Sequence, residues 1–394
     1  MNWTNAAPGD NGTVRIPDNW LFLHYYEALS ILFRIENTLR VFVYVVLKDN
    51  HKAQWSRLSI STDDGGQTTI VAAARRRAEQ DATFGYLGYA IPSSLMHLTS
   101  GELIALVLSD ASWPIFSDYF PATKHIVRTK LEEVGNIRNA LAHFRPLKVD
   151  DVQVVRQNAN QVLSRVEETL NKLFNFGMVV PTNTPDPWYT ELNALSGPNI
   201  NVSFQQSDDD RWVFLNLTYN CPHLTEPTVY PNARFYRVLT VLTPPMLNAA
   251  PALRDNAIFA SEFVPYAAPT EDTSPDFSKT IHFYFSRDSI TAAYSQIKPE
   301  LETLLRKITE ETRLIHADNL ARGEFVRTAS VSVNRSDQAA RWRVTTQSLH
   351  SPSSTTDPAE YWAGKPLFFG DHFLTNTESF PWMPVTISNV TFPF

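Results

Sequence analysis

The chain has 394 residues, with 34 Lys and Arg against 41 Asp and Glu, a formal charge of −7 at pH 7, and one cysteine. That length allows two domains, each with its own core, and a content of 43% hydrophobic and 12% aromatic residues excludes a disordered chain. The charge excludes a general polyanion binder, so any nucleic-acid contact must rest on a local basic patch; the lone Cys221 excludes a disulfide framework within one chain and a paired-cysteine zinc site.

In chain order, the N-terminus has no basic region followed by an apolar run, so no secretory signal is expected. Pro17-Asp18-Asn19 opens a helix, capped by Asp18 or Asn19, whose apolar residues from Leu23 to Val43 recur at three and four. Glu27, Arg34, Glu36 and Arg40 interrupt it, and the uncharged run Val41–Leu47 is too short to cross a bilayer, so a soluble, cytoplasmic protein is expected. Ser59–Thr69 reads as a loop, and a short basic helix follows at about Val71–Gln80 with Arg75, Arg76 and Arg77 on it. Gly101–Leu108, Tyr119–Ala142 and Val152–Phe176 complete a helical first half.

Turn formers at Pro181–Trp188 and Ser196–Asn199 mark a linker. Strand-like alternation then appears at Asn201–Gln205, Arg211–Tyr219, Ala233–Leu242, Thr280–Arg287, Arg327–Asn334 and Arg341–Leu349. A helix at about Asp288–Ala321 carries the apolar stripe Ile297, Leu301, Leu304, Leu305, Ile308 and Leu314. The aromatics of the tail (Trp362, Phe368, Phe369, Phe373, Trp382) read as core. The fold class expected is therefore α+β, with an all-α bundle over 1–178 and a mixed α+β domain over 179–394.

The stretch richest in chemistry is Gly135–Pro146, where Arg138, Asn139 and His143 stand at the end of a helix. Such a trio suits metal-independent RNA cleavage: a guanidinium stabilises a doubly charged phosphorane, and an imidazole moves the proton of the 2′-hydroxyl or of the leaving oxygen. Pro146 stops the helix, and the unpaired carbonyls there complement a protonated ring, the form a general acid takes. Arg138 and His143 are about 140° apart around an ideal helix, so they cannot form an intrahelical pair; Asn139 and His143 share a face.

The motif Arg138-Asn139-Ala140-Leu141-Ala142-His143 resembles the Arg-x4-6-His of the HEPN ribonucleases, with Asn139 in the slot that is often polar. Ile35-Glu36-Asn37-Thr38-Leu39-Arg40 is similar to the E-N-x-L-R of HEPN domains with an elongated first helix, and Leu98–Ile104 with Trp113–Phe116 looks like their middle segment. The resemblance covers about residues 18–176. It implies a homodimer in which two motif helices meet across a two-fold axis, giving a composite cleft. It also implies an endoribonuclease leaving 2′,3′-cyclic phosphate ends and serving as a toxin or antiviral (anti-phage) defence effector. In that reading Arg138, Asn139 and His143 are catalytic, no metal or cofactor is needed, and the second domain takes an activator or regulator. The alternative is a non-catalytic dimerisation or RNA-binding module, the C-terminal domain carrying the specific interaction.

Other residues are weighed by environment. Glu36, Asn37 and Arg40 lie on an otherwise apolar helix, where charges need partners, and are candidates for orienting Arg138 or His143. Arg128, Lys130 and Arg145 flank the motif helix and, with Arg75 and Arg76, are candidates for holding RNA phosphates. Cys221-Pro-His223 has too few partners for a metal site. Arg341-Trp342-Arg343 and Arg234-Phe-Tyr-Arg237 match either a base-stacking face or ordinary amphipathic strands.

Overall fold

The computed structural model describes residues 7–8, 14–15, 23–61, 66–84, 94–143, 145, 147–174, 178–180, 184–267, 275–318, 323–335, 342–352, 354, 356–363 and 373–374. It is a mixed helix-and-sheet molecule. The first half holds a two-residue strand pair, β1 (Ala7–Pro8) and β2 (Val14–Arg15), and then α1 (Leu23–His51). A small hairpin, β3 (Ser59–Ser61) with β4 (Gln67–Thr69), separates α1 from α2 (Ile70–Phe84). α3 (Ser100–Val107), α4 (Trp113–Phe116), α5 (Lys124–Ala142) and α6 (Val149–Phe174) follow.

The helical periodicity yields the expected elements with shifted ends. α1 continues a turn beyond Leu47, and its expected cap at Asp18 or Asn19 lies outside the described residues. Ser59–Thr69, expected as a loop, pairs its ends into the β3–β4 hairpin, so the first half is not purely helical. The motif helix begins at Lys124 rather than Tyr119, because Phe120 is extended and Pro121 follows it.

The second half begins with β5 (Met178–Val179) and α7 (Pro187–Asn193), then β6 (Ile200–Gln206), β7 (Trp212–Asn220), β8 (His223–Glu226) and β9 (Ala233–Val241). α8 (Thr243–Ala249), α9 (Pro251–Asn256), β10 (Phe259–Phe263), β11 (Tyr266–Ala267) and β12 (Asp276–Ser286) come next. α10 (Arg287–Asp318), β13 (Val326–Arg335) and β14 (Trp342–Gln347) complete the elements. One antiparallel sheet runs β10-β12-β7-β6-β5, with β11 also on β12; a second runs β14-β13-β9-β8. Along α10 the expected stripe is buried except at Leu314, which is 59% exposed; Ile315 takes the core position instead, because 3.6-residue periodicity carries the face one residue on by that point. Phe368, Phe369, Trp382 and Arg341 lie outside the described residues, while Trp362 and Phe373 are buried as expected of core aromatics.

The larger sheet is covered on both faces, which accounts for the nearly unbroken burial of β7. Val213, Leu215, Leu217 and Tyr219 face a core shared with α7, α10 and the smaller sheet. Trp212 and Phe214 face the other way and, with Phe259 and Tyr284, join the core of α1 and α6. The Phe259 ring stacks on Trp362 at 4.0 Å and on Tyr284 at 3.9 Å, and Phe174 stacks on Phe259 at 5.6 Å. The helices and the sheet thus share one aromatic core that crosses residue 178.

The last turns of α1 add polar ties to this contact. The Tyr44 hydroxyl donates to the Ile258 carbonyl at 2.6 Å, and buried Lys48 pairs with Glu360. Asp49 accepts from the hydroxyls of Ser286 and Ser289 at 2.5 and 2.8 Å. Within the second half, fully buried Glu262 and Lys279 pair at 2.8 Å. Thr243 and Ser351 hydroxyls also donate to Glu262, and Lys279 donates to the Val241 carbonyl at 2.8 Å, so both charges are satisfied without water. No helix among the described residues is long and apolar enough to cross a membrane.

Candidate functional site

α5 buries Val127, Leu131, Val134 and Leu141 against its neighbours, at the spacing of one helix face. The rest of its surface is left for chemistry. The helix stops at His143, whose backbone lies just outside helical geometry (φ −94°, ψ 17°) and whose N–H still bonds to the Asn139 carbonyl at 3.1 Å. The His143 side chain is therefore exposed at the helix end, four residues from exposed Asn139.

Arg138 is fixed from below. Its Nε lies 3.5 Å from Glu36 Oε2 on α1, and its Nη1 donates to Asn139 Oδ1 at 3.4 Å. The other oxygen of Glu36 accepts from Arg40, which is itself buried and donates to the Leu95 and Leu98 carbonyls at 3.3 and 3.2 Å. Burial works against ionising Glu36, but Arg40 and Arg138 outweigh it and hold the carboxyl below its ordinary range. The chain Leu95/Leu98–Arg40–Glu36–Arg138 orients a half-exposed guanidinium through a buried relay.

Arg138 opens onto a cleft of about 610 Å³. One wall is α5, contributing Arg128, Glu132, Gly135, Asn136, Arg138 and Asn139. The facing wall is α3 with its two caps, contributing Thr99, Ser100, Gly101, Ile104, Ala105 and Leu108, and Ser61 of β3 also lines the cleft. α3 is held by a capping box in which the Thr99 hydroxyl accepts from the Glu102 N–H at 3.1 Å and Glu102 accepts from the Thr99 N–H at 2.9 Å. Arg77 of α2 braces the same carboxylate, its Nη2 donating to Glu102 Oε1 at 2.6 Å.

The sequence-derived candidates divide clearly. Arg138, Asn139 and Arg128 line the cleft, with Glu36 and Arg40 behind Arg138. His143 stands beyond it at the helix end. Asn37 is buried and donates to the Phe33 carbonyl of its own helix at 2.8 Å, so its amide is engaged away from the motif. Lys130 pairs with Glu133 at 3.1 Å, and Arg75 with Glu79 at 3.0 Å on α2. Arg76 and Arg145 are exposed, and neither they nor Arg75 and Lys130 line the cleft. Sequence reasoning missed Glu132, Asn136 and the α3 wall; the four-residue spacing of Arg128, Glu132 and Asn136 was the available signal.

Elsewhere, burial pushes the Cys221 thiol up to about 12, an unreactive group rather than a nucleophile. His223 packs edge-on against Tyr236 and Phe277. Trp342 is buried beneath Arg234 and Arg335, whose guanidinium carbons lie 4.3 and 5.3 Å from its ring centre, so its faces are taken and it offers no platform for a base. No family model, no curated protein and no solved structure matches the chain.

Proposed function

We propose that this protein is a metal-independent endoribonuclease of the HEPN kind, acting as a homodimer and serving as a toxin or antiviral effector. The observation that carries the reading is Arg138, held by the Glu36–Arg40 relay at the edge of an open cleft, with Asn139 beside it and exposed His143 at the end of the same helix. A guanidinium fixed in advance stabilises developing phosphorane charge without reorganising during the reaction.

In this reading the 2′-hydroxyl attacks the adjacent phosphorus and loses its proton, while the bond to the 5′-oxygen breaks and that oxygen gains a proton. The products are a 2′,3′-cyclic phosphate and a 5′-hydroxyl. Arg138 neutralises the phosphorane, His143 carries a proton to or from the reacting oxygens, and Asn139 binds a phosphate oxygen or orients its neighbours. Because Arg138 and His143 diverge around one helix, a second copy completes the site by setting its own motif helix alongside. DNA, lacking the 2′-hydroxyl, is left intact.

The test is incubation of the purified full chain with tRNA and mixed-sequence RNA in EDTA, beside His143→Ala and Arg138→Ala. Cleavage by the wild type alone, leaving cyclic-phosphate ends, is the expected result. A wild type that retards RNA in a gel without cutting it supports the non-catalytic binding module instead.

A further inference from the structure

The cleft beside Arg138 holds more chemistry than a phosphate needs. Arg128, Glu132 and Asn136 follow one another at four-residue intervals along α5 and share a face. Gly135 keeps the space next to them clear: a Cβ built there meets nothing within 4 Å. Across the cleft, α3 presents the aliphatic side chains of Ile104 and Ala105, with buried Leu108 behind its end. A volume of about 610 Å³ lies in the range of small-ligand sites. A flat group with apolar faces and a polar edge, such as an unstacked nucleobase, matches an aliphatic wall facing a row of polar side chains.

Glu132 determines which base. It is exposed and, among the described residues, has no ion-pair partner. An ionised carboxylate only accepts, and its two oxygens take two parallel N–H donors. Of the four RNA bases only guanine offers two adjacent donors on its Watson–Crick edge, N1–H and the 2-amino group. Adenine and cytosine place an acceptor nitrogen beside their amino group, and uracil flanks its single N–H with carbonyl oxygens, so each sets an acceptor against the carboxylate. We propose that this cleft is a guanine-selective nucleotide subsite, with Glu132 on the Watson–Crick edge, Ile104 and Ala105 against the base, and Arg138 and Arg128 on the flanking phosphates.

The cellular substrate rests on the ribonuclease reading, but nucleotide binding is measured apart from cleavage. The full chain is titrated calorimetrically with 3′-GMP, 3′-AMP, 3′-CMP and 3′-UMP, alongside Glu132→Gln and Arg138→Ala. 3′-GMP is expected to bind about tenfold more tightly than the other three, as for a hydrogen-bond pair to an exposed charged acceptor. Glu132→Gln levels the four affinities, because its amide puts a donor where a second acceptor stood, whereas Arg138→Ala weakens all four alike. Glu132 is exposed, so both wild type and Glu132→Gln should melt at the same temperature. Equal binding of the four nucleotides, no binding of any, or a preference for 3′-GMP that survives Glu132→Gln overturns the subsite. Mapping cuts in an RNA containing all sixteen dinucleotide steps separates the two ideas. Guanine selectivity in binding without RNA cleavage keeps the subsite and removes the ribonuclease; cleavage without base preference does the reverse.

Discussion

Arg138 and Glu36 differ in what their removal should do. Arg138 is half-exposed and its ion pair with Glu36 is 3.5 Å long, so Arg138→Ala should leave stability within about 0.5 kcal/mol of wild type while lowering RNA cleavage by about 10²–10³-fold. His143→Ala should cost about 10²–10⁴-fold in rate and as little in stability, since the ring is exposed at the helix end. Glu36 is the reverse case: it faces two cations, one of them buried, and Glu36→Gln leaves Arg40 without its counter-charge. The check on all three is a thermal melt run beside the cleavage assay. A large drop in melting temperature for Arg138→Ala would show that the residue serves the fold rather than the chemistry.

At the scale of elements, the motif helix carries an unusual residue at its centre. Gly135 has open space where a Cβ would stand, so Gly135→Ala should raise stability by up to about 1 kcal/mol through helix propensity alone. The same methyl narrows the cleft, and cleavage should fall while the melting temperature rises. The strands meet at a buried charge. Burial opposes ionisation of Glu262, but His350, Lys279 and Ser351 hold its carboxyl far below the ordinary value of 4.5. Because the folded value is depressed, this carboxyl contributes stability above about pH 4.5 that is lost as the pH falls toward the folded value, by about 1.4 kcal/mol per pH unit. Glu262→Gln strands Lys279 and should cost about 3–5 kcal/mol at pH 7. Urea denaturation should show the gap between the two proteins closing below pH 4.5; a constant gap would mean that Glu262 is not ionised in the fold.

How much of this was visible beforehand follows from the period of each signal. α5 and α6 were legible because their apolar residues keep a strict helical spacing over several turns. α8 and α9 were not: at seven and six residues they are too short to show a helical period, and each carries proline in its first turn, where a helix tolerates it. β8, at four residues, is too short to show alternation, and β10 buries Glu262 while exposing Phe263, so its polarity does not follow its faces. In the site, Arg138, Asn139 and Arg128 were found from the motif and its flanks, whereas Glu132 and Asn136 look in sequence like any solvated helix face. What turns them toward chemistry is α3 standing opposite, a tertiary fact with no local trace.

For the molecule as a whole, the division at residue 178 separates textures more than it separates bodies. Cutting there would bare Trp212, Phe214, Phe259 and Tyr284 on one piece and the covered side of α1 and α6 on the other. Residues 1–178 produced alone should therefore bind a hydrophobic dye and lack the near-ultraviolet signature of packed aromatics; a sharp, cooperative melt of that fragment would contradict the shared core. α1 is the reason the halves are hard to part. Glu36 and Arg40 on one stretch of it carry Arg138, and Tyr44, Lys48 and Asp49 on the next stretch grip the second half. A chimera that exchanged only the C-terminal half for a foreign one would inherit a helix cut to the wrong lock. Recombination between such chains would thus have to keep the last turns of α1 with the distant half they fit, so an exchange made at the linker alone parts residues that belong together.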